Sequence, residues 1–227
     1  MTRFTVLGIA VLLSACSSSP PPPDWAVNAQ GSLTRAVDAY LDGNTRVATL
    51  ELDRARAEVA RTGAPERLAR LELVHCAAEV ASLTFTACPA YQAVAPDAAA
   101  PEQAYARYLL AQATPADAAR LPEAHRTLVG AAPDQATARI AAIADPLSRL
   151  VAAGVLLRTK RASDVVVQLA VDTASTQGWR RPLMAWLRVA LARAQAAGQG
   201  DEAARLQRRL DVLTRRVPAD GASAPAQ

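Results

Sequence analysis

Residues 32–63 read SLTRAVDAYLDGNTRVATLELDRARAEVARTG, and the spacing of the small and apolar residues in this stretch decides the fold. Leu33, Ala36, Val37, Tyr40 and Leu41 recur at three- and four-residue intervals, the period of one helix face, and Gly43 stands where a helix ends. Ser32 is placed to cap that helix. Asn44 or Thr45 opens a second one. Its stripe of Ala48, Leu52, Ala55 and Val59 keeps a 4-3-4 spacing as far as Gly63. Two such helices joined by a short turn bury their stripes against each other, as an antiparallel hairpin.

The same punctuation continues outward. Pro65 at a first-turn position opens a third helix with the stripe Ala69, Leu73, Cys76, Val80 and Leu83. Residues 86–101 (TACPAYQAVAPDAAAP) form a Pro/Ala-rich connection with one short turn around Tyr91. Helices are then expected after Pro101, Pro115, Pro122 and Pro133, after the Asp145-Pro146 cap, and from Ser163-Asp164 to Gly178. Trp179, Leu183, Trp186, Ala190, Ala194 and Ala197 make one stripe. The last helix turns Ala203, Leu206, Leu210 and Leu213 inward, with Arg205, Arg208, Arg209, Arg215 and Arg216 around the remainder. The chain is rich in alanine, and only 4% of it is aromatic, a composition that favours helix over strand. The expected fold class is all-α: antiparallel helical hairpins in a short α-solenoid or bundle.

In the first pair, Ala36, Tyr40, Gly43, Ala48, Leu52 and Ala55 have the spacing of a tetratricopeptide repeat, which this hairpin resembles over residues 33–61. The final pair matches less well, because Gln207 stands where that repeat places a bulky apolar residue. The middle of the chain shows no 34-residue period, so repeat-like hairpins are expected and not a regular array. The stretches DPLSRLVAAGVLLR (145–158) and QGWRRPLMAWL (177–187) are similar to alanine-rich lipoproteins of β-proteobacteria. That resemblance implies no known activity.

The N-terminus is informative in a different way. Arg3 precedes an uncharged apolar run from Phe4 to Leu13. At about 1.5 Å per residue this run reaches only half of a bilayer core, the pattern of a secretory signal peptide over residues 1–15. Leu13-Ser14-Ala15-Cys16 resembles the lipobox of bacterial lipoproteins at all four positions. The resemblance implies cleavage before Cys16, lipidation of that residue and attachment to a membrane. With Ser17 in place of an aspartate, it implies the outer membrane facing the periplasm. Residues 16–24 then form the lipidated cysteine and a Ser/Pro tether, whose prolines favour a semi-rigid polyproline spacer. A helical domain is expected over 25–216, followed by a disordered tail over 217–227.

With Cys16 lipidated, Cys76 and Cys88 remain as a pair in an oxidising compartment. A helix ending near Leu83 and a return through Thr84-Phe85-Thr86 allow them to meet. A disulfide is the expected state, and two buried thiols the alternative. The 13-residue loop so closed is worth about 3 kcal/mol.

The candidate chemistry is sparse. The formal charge of +4 is carried almost entirely by arginine, with Lys160 the one lysine. No basic run is interleaved with aromatics, so nucleic acid is not an expected partner. Glu72, His75 and Glu79 share one helix stripe, but a helical-bundle metal site needs a second Glu-x-x-His pair, and His125 has none. The stripe reads as a solvated polar face, with no metal and no cofactor expected. No serine sits in a G-x-S-x-G elbow and no Gly-rich phosphate loop is present, so no catalytic residues are assigned. Trp179 and Trp186 read first as anchors of the last hairpin. With Arg180 and Arg181 beside them they also qualify as a partner-binding groove. The functional expectation is a non-enzymatic, membrane-anchored scaffold, adaptor or assembly factor with a protein partner in the cell envelope. A peptidoglycan-binding or peptidoglycan-modifying protein is the alternative.

Overall fold

Gly43 sits at φ +89 in the turn between the first two helices, a conformation open to glycine at no steric cost. It lets α1 (Asp24–Leu41) and α2 (Thr45–Ala60) fold back on each other, the closest-packed helix pair among the described residues. The computed structural model describes residues 21–214. Cys16, the signal segment, most of the tether and the tail from residue 217 lie outside the described residues. Helix α3 (Pro65–Ala81) packs on both members of the first hairpin. The chain then passes through short pieces: α4 (Pro89–Gln92), α5 (Ala100–Leu109), α6 (Glu123–Arg126) and α7 (Pro133–Ala141), with 3-10 turns at Ala95–Asp97 and Pro115–Arg120. Four longer helices finish it: α8 (Pro146–Arg158), α9 (Asp164–Gln177), α10 (Arg180–Ala196) and α11 (Gly200–Thr214). The fold is all-α, with no strand among the described residues.

Chain order and packing order part company at α3. Its main partner is α8, on the far side of residues 82–145. From α8 onward each helix packs on the next, α8 on α9, α9 on α10 and α10 on α11. The intervening short helices pack against α3 or α8, with α5 touching both. The main core accordingly runs from Leu73, Cys76 and Val80 of α3 through Leu150 and Val151 of α8 to Trp186 and Leu187 of α10.

The α3–α8 approach depends on Gly154. A Cβ at this position would lie 2.5 Å from the Val80 carbonyl oxygen and 3.1 Å from Val80 Cγ1. On a free helix surface, glycine to alanine adds about 1 kcal/mol of stability. At Gly154 the overpacking penalty of about 1–3 kcal/mol reverses the sign. Gly154→Ala is expected to lower the urea midpoint, and an unchanged or raised midpoint would mean that the two helices can separate without cost.

Three local expectations are corrected. Ser32 is not an N-cap: α1 begins eight residues earlier, at Asp24, and Ser32 is a buried mid-helix residue whose Oγ accepts from Arg35 Nη2 at 2.9 Å. Nothing between Pro23 and Ser32 stops a helix, and Trp25 and Ala29 extend the Leu33–Ala36 stripe backward. Asp24 in the first turn also suits the helix dipole. After Pro115 the chain makes a 3-10 turn and no α-helix. The Asp117 carboxylate accepts from Thr114 N at 2.9 Å and from Arg107, which holds the turn to its own loop. Helix α3 stops at Ala81, short of Leu83, which takes a left-handed φ of +60.

Other boundaries agree with the sequence. Asp145 caps α8 by accepting from Ser148 N at 2.7 Å, and Ser163 Oγ accepts from Val166 N at 3.3 Å at the start of α9. Cys76 and Cys88 are joined, Cα atoms 5.6 Å apart, both buried. The cross-link ties the start of the 82–145 excursion back onto α3. Among the described residues no helix is long and apolar enough to cross a membrane.

Candidate functional site: a groove centred on Val74

Helix α3 has two working faces. Leu73, Cys76 and Val80 point into the core, whereas Arg67, Arg70, Leu71 and Val74, at i, i+3, i+4 and i+7, line a surface groove. Three hollows of about 460, 430 and 620 Å³ meet at Val74. The first lies between α1 and α3, with Trp25, Ala29 and Leu33 on its wall. The second is bounded by the C-terminal half of α1 and by Leu147 and Trp179. The third lies between α3 and the short helices, against Tyr105, Leu121 and Pro122. Gln30 and Leu33 are shared by the first two hollows, and Arg70 and Glu102 by the first and third, so the three form one concavity. Its floor is made of half-buried large apolar side chains: Trp25, Leu33, Val74, Tyr105, Leu147 and Trp179. An open surface of this kind is more apolar than solvent alone favours.

The two ends of the groove carry opposite charge. At one end four arginines, Arg67, Arg70, Arg120 and Arg126, outnumber the two acids there, Glu66 and Glu102. Arg67 lies over the Trp25 ring, 4.7 Å from its centroid, Arg120 donates to Ala116 O at 3.3 Å, and Arg126 donates to Leu121 O at 2.8 Å. None of these three meets a carboxylate among the described residues. Arg70 does, donating through Nε to Glu102 Oε1 at 2.8 Å. Glu102 is 7% exposed, and its second oxygen, Oε2, is buried and receives no hydrogen bond. An unmet buried acceptor costs about 1–3 kcal/mol. At the other end are Asp38 and Asp145, neither of them ion-paired among the described residues.

The sequence-derived site residues lie elsewhere or are engaged within the fold. Trp186 is fully buried and its Nε1 donates to Ala81 O at 3.0 Å, capping one of the last carbonyls of α3. Arg181 donates through Nε to Tyr40 O at 2.6 Å and through Nη2 to Thr45 Oγ1 at 2.8 Å, with its guanidinium 4.2 Å from the Tyr40 ring centroid. It pins the start of α10 to the α1–α2 turn. Arg180 Nε donates to Leu213 O at 3.0 Å, holding the end of α11. Of the four, only Trp179 lines the groove. The groove itself has a sequence signal that local reading passed over: the Arg67–Val74 face of α3, beside the more apolar core stripe.

The polar stripe of α3 is not a solvated face. Glu72 is 4% exposed and takes Arg56 on both oxygens, Nε to Oε1 at 2.6 Å and Nη2 to Oε2 at 2.8 Å. The Arg56 guanidinium is held further into its charged form by that pair. His75 meets the Tyr40 ring edge-on, with centroids 5.5 Å apart, and burial lowers its pKa. Glu79 accepts from Thr86 Oγ1 at 3.1 Å. Among the described residues no group of three or more His, Cys, Asp or Glu side chains is placed to hold a metal ion.

His125 is 1% exposed, its ring 4.8 Å from that of Tyr108 and 5.9 Å from that of Tyr105. Nδ1 lies 3.3 Å from the Tyr108 hydroxyl. Burial pushes its pKa down to about 4, against a smaller opposing pull from the Asp145 charge. An unfolded histidine titrates near 6.5. Above that value both states are neutral and stability is full. As pH falls from about 6.5 toward 4, the unfolded chain binds a proton that the folded chain refuses, and about 3 kcal/mol is lost. His75 acts in the same direction. Urea unfolding at pH 7.5 and pH 4.5 should show this loss, and His125→Gln should remove most of it. An equally steep loss in the variant would assign the effect to other groups.

No protein family, no curated protein and no solved structure matches the chain.

Proposed function

We propose that the protein is a lipid-anchored component of a bacterial cell envelope that acts by binding another protein, as a scaffold, adaptor or assembly factor. The observation that carries the binding role is the concavity along α3, with a half-buried apolar floor and oppositely charged ends. Its open surface favours a macromolecular segment over an enclosed small molecule. The lipobox-like Leu13-Ser14-Ala15-Cys16 supports the anchor, and the proline run after it supports a spacer that lifts the groove off the lipid surface. One sulfur-linked lipid together with an acylated amine supplies the two hydrophobic signals that stable anchoring needs.

The test uses the full chain with a C-terminal affinity tag in a Gram-negative host. Labelled palmitate is expected to enter the wild type, with the product in the membrane fraction. Cys16→Ser should take up none and be released from the membrane. Chemical cross-linking before purification should retain a defined envelope protein with the wild type. An unlabelled, soluble wild type would remove the anchor. Repeated purification without any protein partner would remove the scaffold role.

A further inference from the structure

The charges around the groove specify what kind of segment it takes. Some carboxylates elsewhere on the helices have arginine partners, as in Arg54–Glu51, Arg61–Glu58 and Arg205–Glu202. The groove's own charges are sorted by end. Arg67, Arg120 and Arg126 bond only an aromatic face or backbone carbonyls, and Asp38 and Asp145 at the opposite end meet no cation among the described residues. Between the two ends, the apolar floor passes from Tyr105 through Val74 and Leu33 to Trp179.

We propose that this groove seats a peptide segment of a protein partner that is apolar in its middle, acidic where it meets Arg67 and Arg120, and basic where it meets Asp38 and Asp145. The assignment rests on the binding role given above and adds the occupant's chemistry to it. Like charges juxtaposed across such a contact are strongly disfavoured, so the two ends set the direction in which the segment lies. A uniformly acidic or uniformly basic segment would leave one end mismatched.

The experiment is photo-cross-linking in cells with the full-length, membrane-directed chain. Gln30, exposed on the rim shared by two hollows, is replaced by p-benzoylphenylalanine. Leu50 on α2 and Val212 on α11, both exposed on outer faces, serve as control positions. Cross-linked peptides are mapped by mass spectrometry. The expected product from position 30 is one partner segment with apolar residues flanked by opposite charges. Its yield should fall at least tenfold in Arg67→Glu/Arg120→Glu and in Asp38→Lys. All three substituted positions are exposed, and circular dichroism checks that the variants keep their helix content. A product from position 30 that maps to glycan, lipid, this chain itself or a segment of uniform charge would overturn the proposal. So would a yield indifferent to the charge reversals. Protein products from positions 50 or 212 alone would overturn the groove assignment and leave the binding role intact. No product from any position would overturn both.

Discussion

Trp186→Ala should lower the unfolding free energy by about 4 kcal/mol, the largest single-residue effect expected in this chain. Trp186 has no exposed surface, and it belongs to the core that α3, α8 and α10 build together. Its loss removes the bulkiest fully buried side chain in the described structure and leaves a cavity between helices that meet only through tertiary packing. A second loss is added at Ala81, whose carbonyl gives up the indole donor at 3.0 Å. Trp186→Phe separates the two contributions. It keeps the larger part of the apolar volume while removing the N–H donor, so it should cost about 1–2 kcal/mol, well short of the alanine variant. Urea unfolding followed by circular dichroism measures both. A cost below about 1 kcal/mol for the alanine variant would show that α10 does not anchor the core.

Arg56→Ala is the second. It strands the Glu72 carboxylate, 4% exposed, without the guanidinium that bonds both its oxygens. Breaking a buried pair from one side typically costs about 3–5 kcal/mol, because the remaining charge keeps its desolvation penalty. Arg56 is one-third exposed, so the lower end of that range, about 3 kcal/mol, is expected. Removing both charges tells the cause apart. Arg56→Met/Glu72→Leu fills the same space with apolar groups and should recover to within about 1 kcal/mol of the wild type. A double variant as unstable as Arg56→Ala would mean that packing of the arginine stem, and not the stranded charge, carries the effect.

These predictions rest on features that differ in how visible they are in the chain. The helices themselves are legible because caps and periods are local. Asn44, Asp145 and Ser163 supply oxygens to backbone N–H groups three residues away, and Gly43 and Gly178 take left-handed conformations after the last helical residues. The Cys76–Cys88 pairing was also within reach, since a short loop limits where its ends can go. Ser32 misleads for the same local reason. It has a capping side chain, but Trp25 and Ala29 continue the apolar stripe before it, and burial outweighed the cap.

The candidate site was less visible. Trp179, Arg180, Arg181 and Trp186 have the composition of a binding surface, yet three of the four are turned to holding α10 against α1, α3 and α11. Glu72 reads as a surface acid and is buried, because its partner Arg56 comes from the preceding helix. Neither outcome has a signature within a few residues of the side chain concerned.

The sequence by itself determined the helical class, the hairpin of α1 and α2 and the caps at Asn44, Asp145 and Ser163, and it placed Cys76 and Cys88 close enough to pair. Each is a matter of residues within about a dozen positions of one another, where backbone geometry leaves few choices. Tertiary structure alone decided that α3 pairs with α8 across residues 82–145, that Gly154 is the point of closest approach, and that Val74 becomes the centre of a groove. The reason is that α3 carries a strongly apolar stripe through Leu73, Cys76 and Val80 and a mixed face through Leu71 and Val74. Which one is covered and which stays open depends on the volume and position of helices far along the chain, and no local pattern records it.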